Sequence, residues 1–252
     1  MNAETADIVY NSPMSNFKYY SGALVFCLLL TSCEYIDPLI QDANIVSIPQ
    51  EVQISQQMQA EVAKAMPVST SASLTNMGNR LVAALPNKDF NYQFFIVENP
   101  EPNAFTIPGG AIYVHTGLLK FVSDESELAG VIAHEIGHAY ERHPAKSITR
   151  QVGLAQLINQ FGGANSSTVK QMALKIAGTG ALNFYSRSDE SESDRIGFEL
   201  LRKSGYKTDG LTRFLQKLIK LQNGRSAPTF LSSHPPTPER VAALEVLAKQ
   251  QN

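Results

Sequence analysis

The ten residues Val131-Ile-Ala-His-Glu-Ile-Gly-His-Ala-Tyr140 constrain this chain more than any other stretch. The run is apolar except for His134, Glu135 and His138, and nothing in it opposes a helix. On a helix, His134 and His138 lie one turn apart and about 40° around the axis, so both imidazoles can reach one ion. Glu135 sits about 100° away, too far round to share that ion easily but close enough to touch a water beside it. Neutral nitrogen ligands, an open coordination position and a carboxylate that can take a proton from water are the requirements of a hydrolytic zinc site. Leu128, Ile132, Ile136 and Ala139 gather on the opposite side, so one face is expected to pack and the other to carry the chemistry. Ser123-Asp124 supplies the N-cap and Pro144 follows the end.

Such a helix needs a body around it. With 252 residues, 43% of them hydrophobic and 17% charged, the chain can bury one good core. The formal charge of −2 and the lack of a basic run exclude a nucleic-acid partner. The two cysteines, Cys27 and Cys33, both lie near the N-terminus, which excludes a disulfide scaffold and any cysteine-based zinc site in the body.

Residues 1–33 read as an address. Lys18 precedes an apolar run from Gly22 to Leu30, too short to span a bilayer and of the length of a signal-peptide core. Leu30-Thr-Ser-Cys33 resembles the lipobox of bacterial lipoproteins, in which cleavage leaves Cys33 lipidated. Met14 begins a signal of conventional length, leaving residues 1–13 as an upstream start that is not used. Removal of Cys27 then leaves no free thiol, which suits an oxidising compartment. Glu34, rather than Asp, resembles the pattern sent to the outer membrane, facing the periplasm.

Residues 34–49 read as a tether and 50–252 as one domain. Helices are expected over Gln50 to Met66, stopped by Pro67, and over Ser71 to Leu85. The β region follows: Tyr92 to Val97, then Ala104 to Ile107 and Ala111 to His115 around the turn signal Pro108-Gly109-Gly110. His115 reads as an ordinary strand residue. Beyond Pro144 helices are expected from Ile148 to Phe161 and from Val169 to Leu182, joined by a polar Gly-Gly-Ala-Asn-Ser-Ser loop. A last helix is expected from Val241 to Ala248.

Two histidines cannot hold a metal alone. His143 lies about 180° round from His134 and cannot join unless the helix breaks. The longer pattern with a third histidine also needs Gly at 141 and His at 144, where this chain has Glu141 and Pro144. A carboxylate from a later helix remains. In the segment from Phe184 to Gly197, the stripe Glu190, Asp194, Gly197, Leu201 ends apolar, whereas Glu192, Ile196, Glu199, Lys203 is mostly a solvated face. Glu190 is therefore the expected ligand, with Asp194 one turn on holding a histidine ring in its tautomer.

Taken together, the His-Glu-Ile-Gly-His helix, Glu190-x-x-x-Asp194 and Asn103-Ala-Phe-Thr-Ile-Pro-Gly-Gly resemble the HtpX-like zinc metallopeptidases, the family that includes the CAAX prenyl proteases. The nearest branch is the soluble envelope one, BepA- and LoiP-like, and the similarity runs from roughly Gln50 to Ala248. It implies an α+β, mainly α gluzincin domain with a helical core and a small β-sheet, one Zn²⁺ per chain, and Glu190 as a metal ligand. It also implies a role for Ser232-Ser-His-Pro-Pro. In similar envelope peptidases a histidine at the place of His234 caps the zinc as a reversible inhibitor, and an arginine at that of Arg240 lines the site. A His234 that assists catalysis is the competing reading.

The expected activity is zinc-dependent endoproteolysis of unfolded or misassembled envelope proteins by a lipid-anchored enzyme. Glu135 serves as general base; Arg240, or less directly Tyr185, stabilises the oxyanion. Substrate is expected to lie extended along the exposed edge of the sheet. The rival is a chaperone-like or scaffolding lipoprotein with a latent or structural zinc site, against which Glu135 argues because a structural site has no use for a base. A hydrolase of non-peptide substrates also fits the motif.

Overall fold

The computed structural model describes residues 44, 46–152, 171, 185–222 and 230–250. The expected signal and lipobox with Cys33, nearly all of the expected tether, the expected helices beyond Val152 and their connecting loop lie outside these residues.

Ser47 opens the first of the described helices, α1 (Ile48–Ala65), its amide donating to Gln50 Oε1 at 2.9 Å. The helix starts two residues before the expected Gln50, because Pro49 sits in the first turn, where its missing N–H costs nothing. Pro67 stops it and is followed by β1 (Val68–Ser69), a strand too short to announce itself in sequence. Then come α2 (Ala72–Val82), β2 (Gln93–Val97), β3 (Ala104–Ile107), β4 (Ala111–His115) and a short α3 (Thr116–Phe121). The central helix α4 (Glu125–Tyr140) leads to α5 (His143–Val152), and the later elements are α6 (Arg187–Lys203), α7 (Gly210–Gln222), α8 (Phe230–Ser233) and α9 (Pro238–Lys249).

The four strands form one mixed sheet in the order β1-β2-β4-β3. β2 runs parallel to β4, from Gln93 opposite Ala111 to Val97 opposite His115; β3 and β4 form a hairpin with Ala104 opposite Val114. Gly109 and Gly110 turn this hairpin at φ 82° and 86°, backbone that side-chain-bearing residues rarely adopt. Alternation along the strands divides the apolar residues between two faces. Phe94, Ala104, Ile112 and Val114 join the large core around α2, α4, α6 and α7, while Val97, Phe105, Ile107 and Tyr113 join a smaller core with α1 and α5. On that second face Phe95, Tyr113 and Phe105 stack in a row across three strands, with centroids 5.0 and 4.9 Å apart. The outer strand β3 is buried along its whole length. The opposite edge strand, β1, is more open, with Ser69 exposed.

Helix α4 is capped as expected: Asp124 Oδ1 accepts from the Glu127 amide at 3.0 Å. It is buried on every side from Ala129 to Ala139 rather than on one face only. Helix α6 packs closest against it. Gly197 makes this approach possible, since a Cβ there would lie 3.1 Å from the His134 amide nitrogen. The crossing brings the acidic side of α6 over the two histidines. Among the described residues no helix is long and apolar enough to cross a membrane.

Candidate metal centre

His134 and His138 point the same way from α4, their Nε2 atoms 3.0 Å apart. From α6, the Glu190 carboxylate closes on both, with Oε2 3.5 Å from His134 Nε2 and Oε1 3.3 Å from His138 Nε2. His234, which follows α8, brings its Nδ1 to 3.3 Å from His134 Nε2 and 2.9 Å from Glu190 Oε1. One donor atom from each of these four buried residues lies within 4.8 Å of all the others. Two donors bound tetrahedrally to zinc at about 2.05 Å would be about 3.3 Å apart. Several of the observed separations fall close to that value, so the donor set fits a metal ion of this size and coordination.

The surrounding groups support the fit. His134 Nδ1 is 2.9 Å from Asp194 Oδ1, a short but bent contact that places the ring's other nitrogen toward Glu190. Arg240, in the first turn of α9, grips Asp194 with Nε and Nη2, both at 2.7 Å, and sets Nη1 2.6 Å from Glu190 Oε2. Nη1 also donates to the Pro235 carbonyl at 3.0 Å. Three hydrogen bonds from the guanidinium and its ion pair with Glu190 make Arg240 a clamp on the two carboxylates. Burial would raise Glu190, but His234 and Arg240 outweigh it and hold the carboxyl well below its ordinary range. Asp194 is likewise raised by burial yet lowered overall, chiefly by Arg240. Burial lowers His138 well below its ordinary value, leaving it neutral as a ligand must be. For His134 burial also lowers the pKa, but Asp194 and Glu190 overcome this and raise it to about 9, so a metal ion binding there competes with a proton.

Glu135 stands beside the donors, its Oε1 3.3 Å from His234 Nε2. Among the described residues, both its buried carboxylate oxygens find no hydrogen-bond partner, which folded proteins tolerate where a group has work to do. Burial raises its pKa, against the lowering influence of His234 and His134.

The other candidates are placed plainly. Tyr185 lays its ring on His138, centroids 3.9 Å apart at 23°, and so packs against one of the candidate donors. His115 is buried at the end of β4 with Nδ1 3.0 Å from the Glu101 carbonyl, apart from the cluster. Glu192 is 37% exposed and likewise apart from it. His143, set aside on helical angle, comes within 2.9 Å of His138 Nδ1 because the helix breaks at Arg142, where φ is 58°. Pro144, in the first turn of the next helix, is the signal for that break. A cleft of about 620 Å³, bordered by Tyr185, Pro235, Thr237 and Ala243, reaches Glu190 and Arg240 from the surface.

The model of peptidase family M48 matches residues 69–248, a span containing every donor described above. The chain belongs to peptidase family M48. Within that family it is similar to the beta-barrel assembly-enhancing protease of Escherichia coli (strain K12), 31% identical over 223 residues that make up 82% of this chain and 45% of the relative. It is also similar to the metalloprotease YcaL of the same organism, 34% identical over 60% of this chain and 59% of that protein. The mitochondrial metalloendopeptidase OMA1 of Schizosaccharomyces pombe is 27% identical over 94% of this chain and 75% of its own. The chain thus spans about half the length of the beta-barrel assembly-enhancing proteases it matches.

Proposed function

We propose that this M48 member is a zinc-dependent endopeptidase of the bacterial cell envelope that cuts unfolded or misassembled proteins. The observation that carries the reading is the pairing of a convergent donor set with a buried carboxylate, Glu135, 3.3 Å from His234 and without a hydrogen bond among the described residues. His134, His138 and Glu190 would hold the ion, and imidazole with carboxylate is a donor set that suits zinc. Bound there, zinc supplies the Lewis acidity that polarises a scissile carbonyl and brings the pKa of a water toward 7. Glu135 takes the proton at a carboxylate oxygen and delivers it to the leaving amine; its raised pKa makes the second transfer easier. Asp194 and Arg240 keep His134 and Glu190 in place, and the cleft beside Glu190 offers substrate a route inward.

Envelope location rests on the lipobox-like Leu30 to Cys33 and on similarity to the beta-barrel assembly-enhancing proteases. We place the protein at the outer membrane, anchored by lipid on Cys33 and facing the periplasm.

His234 acts as a reversible cap. In support, its Nδ1 lies among the donor atoms of His134, His138 and Glu190 and its ring stacks on Phe230 at 4.6 Å, so the four residues would together close the site when a metal is held there. Substrate or a partner opens it by binding the uncapped form better. The test is cleavage of an unfolded protein by the zinc-loaded enzyme, with and without chelator, beside His234→Ala. Chelation is expected to abolish cleavage and zinc to restore it, while His234→Ala raises the basal rate. A lower rate in that variant would mean that His234 serves the transition state instead.

A further inference from the structure

The break that ends α4 has a consequence for His138. Arg142 adopts left-handed backbone and is held there by α1 and the residues just before it: its Nε lies 2.7 Å from Glu51 Oε2, and Nη2 donates to the Val46 carbonyl. The other oxygen of Glu51 accepts from the Gly109 amide at 3.1 Å, so the same carboxylate ties the hairpin turn to the helix end. The chain reverses at Arg142 and returns His143, fully buried, behind His138. His143 Nδ1 then lies 2.9 Å from His138 Nδ1 and 3.3 Å from Ser193 Oγ. Its Nε2 lies 3.3 Å from Glu192 Oε2 and 3.5 Å from Asp189 Oδ1. Arg150, through Nη2 at 2.8 Å, fixes that Asp189.

We propose that His143 is a positioning residue for the metal centre, accepting the Nδ1 proton of His138 and passing the same polarity on to Glu192. The proton order follows from valence. His138 Nε2 faces the other donors and must present a lone pair, so its proton sits on Nδ1. His143 Nδ1, 2.9 Å from that proton's nitrogen, must then be the acceptor, which leaves the His143 proton on Nε2, directed at carboxylate. Reversing either tautomer would set two N–H groups or two lone pairs against each other in a buried place. The two metal-facing histidines are thus supported differently: a carboxylate, Asp194, stands behind His134, and a neutral imidazole backed by carboxylate stands behind His138. A ligand held in its tautomer by such a partner binds metal more tightly than one left free to turn.

The inference rests on the zinc-site reading above, so its test reads metal affinity and proton position rather than turnover. Zinc affinity is measured by competition with a chromophoric chelator for the wild type, His143→Leu and His143→Asn. Asn can present its amide oxygen near the place of Nδ1, whereas Leu fills the space with no acceptor. His143→Leu is expected to lose about 10- to 100-fold in affinity, and His143→Asn to recover most of it. Equal affinity in wild type and His143→Leu, or an equal loss in both variants, would overturn the proposal. Nitrogen-15 histidine spectra of the zinc-loaded wild type decide the question even if His143→Leu fails to fold. Protonation of His143 at Nε2 and of His138 at Nδ1 is expected; a proton on His143 Nδ1 refutes the arrangement. A wild type that binds zinc but cuts nothing refutes the peptidase reading, and the affinity series still decides the role of His143.

Discussion

Replacing Arg240 with Met separates a clamp from an oxyanion group. Arg240 is buried, contacts both oxygens of Asp194 at 2.7 Å and stands 2.6 Å from Glu190. Arg240→Met keeps most of the volume but takes from Asp194 its main positive partner and from Glu190 one of its two. Breaking one side of a buried ion pair costs about 3–5 kcal/mol, because the abandoned charge stays in a poor environment. For a domain of this size each kcal/mol lowers Tm by about 2–4 °C, so a drop of roughly 6–20 °C is expected in metal-free protein. Zinc should restore part of it by neutralising Glu190, while Asp194 stays uncompensated. Adding Asp194→Asn removes that remaining charge, so the double variant should be more stable than Arg240→Met alone. Thermal unfolding followed by circular dichroism, with and without zinc, reads all of these. An unchanged Tm accompanied by lost turnover would refute the clamp and return Arg240 to the oxyanion role.

Glu190→Gln should weaken zinc retention after dialysis while Glu192→Gln leaves it nearly intact, and the reverse order would show that the ligand lies on the other stripe of α6. At the N-cap of α4, the hydrogen bond from Arg213 and the Glu127 amide lower Asp124 to about 2, from an ordinary 3.8. A carboxylate lowered by folding adds stability that is full above its unfolded pKa and disappears as pH falls through the folded one. Asp124→Asn should therefore be less stable than wild type at pH 7, with the gap narrowing as pH falls from about 4 toward 2; a gap in Tm that persists unchanged at pH 2 would contradict this.

Much of the fold was legible because its determinants are local. The β3–β4 hairpin is announced by Pro108-Gly109-Gly110 between alternating apolar residues, and the central helix by its cap and its four-residue histidine spacing. Glu190 was separable from Glu192 because the stripe that runs into Gly197 must face a close neighbour. What could not be read depends on tertiary placement. The destination of a side chain as long as that of Arg240 is set by how α9 meets α6. The close approach of His143 to His138 was not legible because a helical angle carried past Tyr140 no longer holds once the backbone turns left-handed at Arg142, a turn held by Glu51 from a distant helix. The covering of β3 is likewise a property of the packed molecule and leaves no mark in the strand itself.

The central claim is that a metal held by His134, His138 and Glu190 works with Glu135 as its base. Glu135→Gln removes the base without removing a donor, so cleavage of an unfolded protein and zinc content should be measured together on this variant and the wild type. Equal zinc, an unchanged fold and no detectable cleavage by the variant are predicted. Cleavage by Glu135→Gln at the wild-type rate would contradict the account.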